Sequence, residues 1–185
     1  MATNYIDIHK PLIDRCRTGD NRAQYELYSL YAKAMYNVCI RIVNHTSEAE
    51  DILQDSFLEA FTRIGEFRSE SSFGAWLKTI VVNRSINYLK KKKLLLFDNI
   101  TDEKDTRHEE YSDYEDTEWE VQRVYKAMHN LPDGYRIVLS LYLLEGYDHA
   151  EIAQILGITE STSKSQYSRA KECIRTLLKK KDHAG

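Results

Sequence analysis

Three stretches of this chain carry side-chain types at spacings that could do chemistry, and in each the chemistry is binding. The last runs from Asp148 to Lys181, DHAEIAQILGITESTSKSQYSRAKECIRTLLKKK. Read at helical spacing, Tyr167, Ala170, Ile174, Leu177 and Leu178 form an apolar face. Ser161, Lys164, Ser165, Ser168 and Arg175 lie opposite. Small hydroxyls allow close approach and a lysine can reach guanine acceptors or phosphates, so this face suits a DNA major groove. A solvated face on an ordinary terminal helix has the same pattern.

A second set lies in FRSESSFGAWLKTIVVNRSINYLKKKK, which combines aromatics with Arg68, Lys78, Arg84 and Lys90 to Lys93. Asn83 and Asn87 fall one helical turn apart. Rings that stack on bases, cations that neutralise phosphates and amides that read base edges suit single-stranded nucleic acid. The alternative makes Phe73, Trp76 and Tyr88 plain core and the lysine run a solvated helix end. In the third set, Asp51, Asp55 and Glu59 fall at i, i+4 and i+8, beside Glu50 and Gln54. Like charges at that spacing destabilise a helix by roughly 0.2–0.5 kcal/mol per pair. Ile52, Leu53, Phe57, Phe61 and Ile64 supply the core-facing side. The stripe is either a solvated acidic face or a docking surface for a basic partner.

Helices must position these sets. Asp148 and Glu151 fit a capping box for a short helix with Ile152, Ala153 and Leu156 on its apolar face. Gly157 supplies the left-handed residue that ends it, and Thr159 caps the long helix that follows. That is a helix-turn-helix, in which a small residue at Ala153 permits a close helix crossing. Upstream, a first helix is predicted from about Tyr5 to Arg17, with Ile6, Leu12, Ile13 and Cys16 apolar and Gly19 as its stop. A second starts at Asp20 or Asn21 and places Ala23, Leu27, Leu30, Tyr31, Ala34, Val38 and Ile42 inward. Ser47 with Glu50 reads as the capping box of a third that ends near Gly65. A fourth runs from about Phe73 to Lys93. Thr117 and Glu120 cap a fifth, bearing Trp119, Val124 and Met128. A sixth takes Pro132 as its first residue and carries Ile137, Val138, Leu141 and Leu144 towards Gly146.

Bulk properties agree. The 185 residues are 42% hydrophobic and 30% charged, and only two prolines and seven glycines favour helix over many-stranded sheet. No apolar run approaches the roughly 20 residues of a membrane span, and the N-terminus has no apolar signal segment, so a cytoplasmic protein is expected. Cys16, Cys39 and Cys173 show no CxxC spacing and read as buried thiols, and no histidine sits at ligand spacing with a cysteine. Net charge is −3, but it is divided. Residues 98–120 hold 11 acidic and 2 basic side chains, a balance of −9. Residues 1–97 (14 basic, 11 acidic) and 121–185 (10 basic, 7 acidic) each stand at +3. Two mildly basic bodies are joined by an acidic connector, from about Leu94 to Asp116, whose charge density predicts an extended or disordered strand. It could mimic nucleic acid in a basic channel of a partner, fold back on the basic helices and mask them, or serve as a tether.

The succession EAEDILQDSFLEAF, FRSESSFGAWLKTIVVNRSINYL, acidic connector, and LPDGYRIVLSLYLLEGYDHAEIAQILGITESTSKSQYSRAKE resembles the extracytoplasmic-function group of bacterial sigma factors over nearly the whole chain. The resemblance implies an all-α protein of two small helical domains: region two (1–96), an acidic flexible linker (97–116) and a helix-turn-helix region four (117–185). It implies core RNA polymerase, promoter DNA and an anti-sigma factor, often membrane-anchored, as partners. No enzymatic activity, cofactor, metal, small-molecule substrate or membrane insertion is expected. By the family's pattern, Glu50, Asp51, Gln54 and Asp55 dock on clamp helices of the largest polymerase subunits. Arg68, Ser69, Ser71, Ser72, Asn83, Arg84, Asn87 and Lys90 recognise and melt the minus-ten element. Ser161, Thr162, Lys164, Ser165, Ser168 and Arg169 hold the minus-thirty-five duplex. Two positions depart from the pattern: Ser163 stands where a small apolar residue is usual, and Gln166 where a basic one is frequent. The alternative is a helix-turn-helix regulator that never meets polymerase.

Overall fold

A computed structural model describes residues 7–98 and 119–182. Among these residues every regular element is helical: α1 (Lys10–Arg17), α2 (Asn21–Val43), α3 (Thr46–Thr62), a 3-10 turn (Ile64–Glu66), α4 (Phe73–Asp98), α5 (Trp119–His129), α6 (Asp133–Leu143), α7 (His149–Leu156) and α8 (Glu160–Asp182). The chain divides into two compact units, Met1–Asn99 and Ile100–Gly185. Ile6, the Thr117 cap and nearly all of the connector lie outside the described residues.

In the first unit α2, α3 and α4 pack against one another in all three pairs, and α1 lies along α2. Leu27, Ile42, Phe73, Leu77 and Val81 are fully buried where the three long helices meet. Each such side chain contributes roughly 1.5–3 kcal/mol by leaving water. Phe67, Phe73 and Trp76 form an aromatic cluster with centroids 5.4–5.8 Å apart. Asp20 caps α2, its carboxylate accepting from the Arg22 and Ala23 amides at 2.9 and 3.2 Å.

The second unit is built around α8. α5, α6 and α7 each pack on it. Met128, Leu131, Leu139 and Ala170 form its centre, with Tyr125, Tyr135, Tyr167, Cys173, Ile174 and Leu177 against them. Arg136 is only 2% exposed, and the Asp133 carboxylate at 2.8 Å and the Leu131 carbonyl at 3.3 Å satisfy its guanidinium. A buried charge is tolerable only with such partners.

Several expectations need correction. α1 starts at Lys10 rather than near Tyr5, with Pro11 in its first turn, where a missing N–H costs nothing. Ser47 and Glu50 form no capping box: α3 begins at Thr46 behind an uncapped His45, so Ser47 already lies inside the helix. α4 continues to Asp98, well past Lys93, and takes in the start of the expected connector. Pro132 is the N-cap of α6, not its first helical residue. Leu30 and Ala34 face solvent, as do Val124 and Leu144 in the second unit. Cys16 and Cys39 are buried, and burial pushes the Cys39 thiol up to about 12, which makes it inert. Cys173 is only half-buried. Ala153, expected at a tight crossing, is half-buried, whereas Ile152 beside it is fully enclosed.

Candidate functional site

α3 buries Ala49, Ile52, Leu53, Ser56, Phe57 and Ala60, which turns Glu50, Asp51, Gln54 and Asp55 outward. All four are exposed. Leu58 shares their side of the helix at 66% exposure, an apolar side chain within an acidic face. Sequence periodicity left it unassigned because one leucine beside Phe57 reads as core. The like-charge stripe is not left to repel itself. Arg84 of α4 donates through Nε to Glu59 at 2.6 Å and through a terminal nitrogen to Asp55 at 3.1 Å. Arg63 adds a second guanidinium to Glu59 at 2.8 Å. Burial alone would raise the Glu59 pKa, but the two arginines outweigh it and hold the carboxyl below its ordinary value. Of the expected contact residues, Arg84 and Asp55 are thus brought together across two different candidate surfaces.

Asn83 and Asn87 are exposed on α4, and Lys90 follows one turn on. The segment before α4 is held from elsewhere in the unit. The Asp7 carboxylate, 3% exposed, accepts from the Phe73 amide at 2.6 Å and the His9 amide at 2.8 Å. Arg17 donates to the Phe67 carbonyl. The Ser72 hydroxyl accepts from the Ala75 amide at 3.1 Å, so it serves as a helix cap. Ser69 sits in the left-handed region (φ 57°), while Arg68 and Ser71 are exposed. Phe73 is fully enclosed, and Trp76 and Tyr88 are half-buried, so these rings act mainly as core. Burial and the neighbouring Glu48 carboxylate raise the Tyr88 pKa.

The helix-turn-helix is fixed by its caps. Asp148 accepts from the Glu151 amide at 2.8 Å and Glu151 accepts from the Asp148 amide at 2.8 Å, a complete capping box. Gly157 takes φ 73°. Thr159 Oγ accepts from the Thr162 amide at 3.1 Å. Along α8, Ser161, Lys164, Ser165, Ser168 and Arg169 are exposed and Thr162 is half-buried. The Lys164 ammonium rests on Glu160 at 2.6 Å, and the Ser165 hydroxyl donates to the Thr162 carbonyl at 3.0 Å. Behind this face, Ser163 is fully buried and its hydroxyl pairs with His149 Nδ1 at 2.9 Å. The His149 ring stacks on Tyr142 at 4.4 Å. A serine at an apolar position is explained by that partner, 14 residues away and invisible to periodicity. Gln166 is half-buried and turns its amide towards Gly134, away from the exposed row.

Among the described residues no cluster of His, Cys, Asp or Glu could hold a metal ion, and no helix is long and apolar enough to cross a membrane.

Comparison with known proteins matches residues 27–94 to Sigma-70 region 2 and residues 121–174 to Sigma-70, region 4. An ECF RNA polymerase sigma-E factor from Haemophilus influenzae is 30% identical, over 96% of this chain and 98% of its own length. The ECF RNA polymerase sigma factor SigW of Bacillus subtilis is 28% identical, over 92% of this chain and 96% of its own. Among solved structures, the sigma factor RpoE of Bartonella quintana, in complex with the anti-sigma factor NepR, superposes with a TM-score of 0.62 at 25% identity, covering 84% of this chain and 96% of that one.

Proposed function

The chain belongs to the sigma-70 family, in its extracytoplasmic-function group, and from that membership we propose which of its surfaces meet polymerase and promoter. As a sigma factor it binds core RNA polymerase and directs promoter-specific initiation; the family is one of initiation factors without catalysis of their own. Its workplace is the cytoplasm, where polymerase is. By likeness to the Bartonella quintana relative solved with an anti-sigma factor, it takes such a partner too.

The polymerase face is the exposed side of α3: Glu50, Asp51, Gln54 and Asp55, with Leu58 as its apolar centre. Acidic side chains steer a basic partner in, and a desolvated leucine adds affinity that charge alone does not. The minus-ten element meets Arg68, Ser69, Ser71 and Ser72 before α4 and Asn83, Asn87 and Lys90 along it. The minus-thirty-five duplex meets Ser161, Thr162, Lys164, Ser165, Ser168 and Arg169 of α8, with Arg169 on phosphate. The observation that carries this reading is Leu58, exposed amid an acidic row on a helix whose other side is fully buried.

Asp51→Lys and Leu58→Asp, both at exposed positions, test it. Each should leave helical circular dichroism intact and weaken core polymerase binding by about tenfold, equivalent to 1.4 kcal/mol. Two folded variants that bind core like the parent would refute the docking face.

A further inference from the structure

We propose that Arg84 couples the two candidate surfaces of the first unit: Asp55 and Glu59 hold it in the free protein, and it is handed to the promoter strand when a basic group of polymerase takes Asp55. This rests on the assignments of α3 and α4 above. The geometry supplies the parts. Arg84 leaves α4 beside Asn83 and three residues before Asn87, yet its guanidinium points across to α3, 2.6 Å from Glu59 and 3.1 Å from Asp55. Its side chain is 37% exposed and that of Asp55 63%. Ion pairs this open to water are individually weak, so a second cation arriving at Asp55 competes on equal terms. When Arg84 leaves, Arg63 remains on Glu59 at 2.8 Å. Loss of Arg84 therefore leaves no bare buried carboxylate. A long stem and a planar fork allow the freed guanidinium to turn onto a phosphate or a base edge on the outer side of α4. Docking on core would thus add a cation to the strand-binding side only when the protein is seated on the enzyme.

The test is a mutant cycle on the full chain, read by fluorescence anisotropy with a labelled mixed-sequence single-stranded DNA at low salt, where one charge contact is most visible. Asp55→Asn with Glu59→Gln removes the holders without changing side-chain size. In the Arg84 background it should tighten strand binding about fivefold more than in the Arg84→Ala background, the most one partly exposed ion pair commands. Taking the difference between backgrounds cancels the general gain from deleting two negative charges. Asp55→Asn alone, if the double substitution perturbs folding, should move the same way by less. Equal gains in both backgrounds, no gain, or no strand binding by any variant overturns the coupling. Asn83→Ala with Asn87→Ala separates the two levels: strand binding unchanged by that pair would sink the assignment of α4 itself, whereas binding lost there with an additive cycle sinks only the role of Arg84.

Discussion

The two units reach a defined structure by opposite routes. Among the described residues, 23 buried hydrophobic side chains lie in the first and 9 in the second, so the first rests on the larger interior and helix caps weigh relatively more in the second. In the first, polar ties span long stretches of sequence: Asp7 to Phe73, Arg17 to Phe67, Arg84 to Asp55 and Glu59. In the second the decisive contacts are local: Asp148 with Glu151, Gly157, and Thr159 with Thr162. Of the first unit's proposed interface residues, Arg84 and Asp55 are therefore entangled with its fold, and substituting them changes stability and binding together, whereas exposed Asp51 and Leu58 are not. The exposed row of α8 is nearly separable from the packing beneath it. The comparison implies that the units respond to mutation one at a time.

Phe73→Ala should have the largest effect. Phe73 is fully buried against Phe67, Trp76 and Tyr31, and its removal should cost the first unit about 3–5 kcal/mol. Thermal unfolding of the full chain, followed by calorimetry, should show one transition shifted down and the other in place. Equal displacement of both transitions would show that the two units unfold together.

The same contrast explains what the sequence made legible. The helix-turn-helix could be read almost whole, because Asp148, Glu151, Gly157 and Thr159 act on backbone groups within three or four residues. Local reading also misled where a motif had no geometry behind it. Ser47 and Glu50 have the letters of a capping box, but α3 starts two residues earlier than that box requires, with His45 as its N-cap. Helical spacing alone put Leu30 and Ala34 inside, yet α2 turns them to solvent while Leu27 and Val38 pack inward. In the candidate site, Asn83, Asn87 and the α8 row emerged from residue type and spacing. The Arg84 clamp and the His149–Ser163 pair did not, since their partners lie 14 to 29 residues away and no local period links them.

Not every contact of the second unit is local: Arg123 donates to the Leu178 carbonyl at 3.3 Å, and the His149–Ser163 pair joins α7 to α8 without a cap. Ser163→Ala should cost about 1–3 kcal/mol, because it strands a half-buried ring nitrogen. Duplex binding should weaken with it while core binding holds. His149→Phe combined with Ser163→Ala should recover most of the loss, since both polar partners are gone and the ring still stacks on Tyr142. A double variant as unstable as the two costs added would mean that the pair is not what holds the helices in register.

The helix caps of the two units should differ in what they contribute. Asp148→Ala should destabilise the second unit by about 1 kcal/mol, as should Thr159→Ala. Ser47→Ala, at the position where only the letters of a cap are present, should stay within about 0.5 kcal/mol. Denaturant midpoints measured side by side decide it. A Ser47→Ala loss equal to that of Asp148→Ala would show that α3 too is held by its first turn.

The smallest effect tests whether the Arg84 clamp of the first unit carries free energy. Glu59 is held below its ordinary value of 4.5 because Arg84 and Arg63 outweigh the cost of its burial. A carboxyl whose folded pKa is depressed binds its proton more readily in the unfolded chain. Its contribution is therefore fully present above the ordinary value and is lost as pH falls through the lower, folded one. Between about pH 7 and about pH 3 the parent's first transition should lose more stability than that of Glu59→Gln, which has no proton to take up. The difference should stay under about 1 kcal/mol, because Glu59 and its partners remain partly in contact with water. Other acids of the unit titrate in both proteins and cancel from it. In Arg84→Ala, where Arg63 alone holds Glu59, the acid loss should fall between the two. Superimposable pH profiles for all three would mean that the clamp joins α3 to α4 in geometry but not in energy, and the long-range ties of the first unit that count would then be those of Asp7 and Arg17.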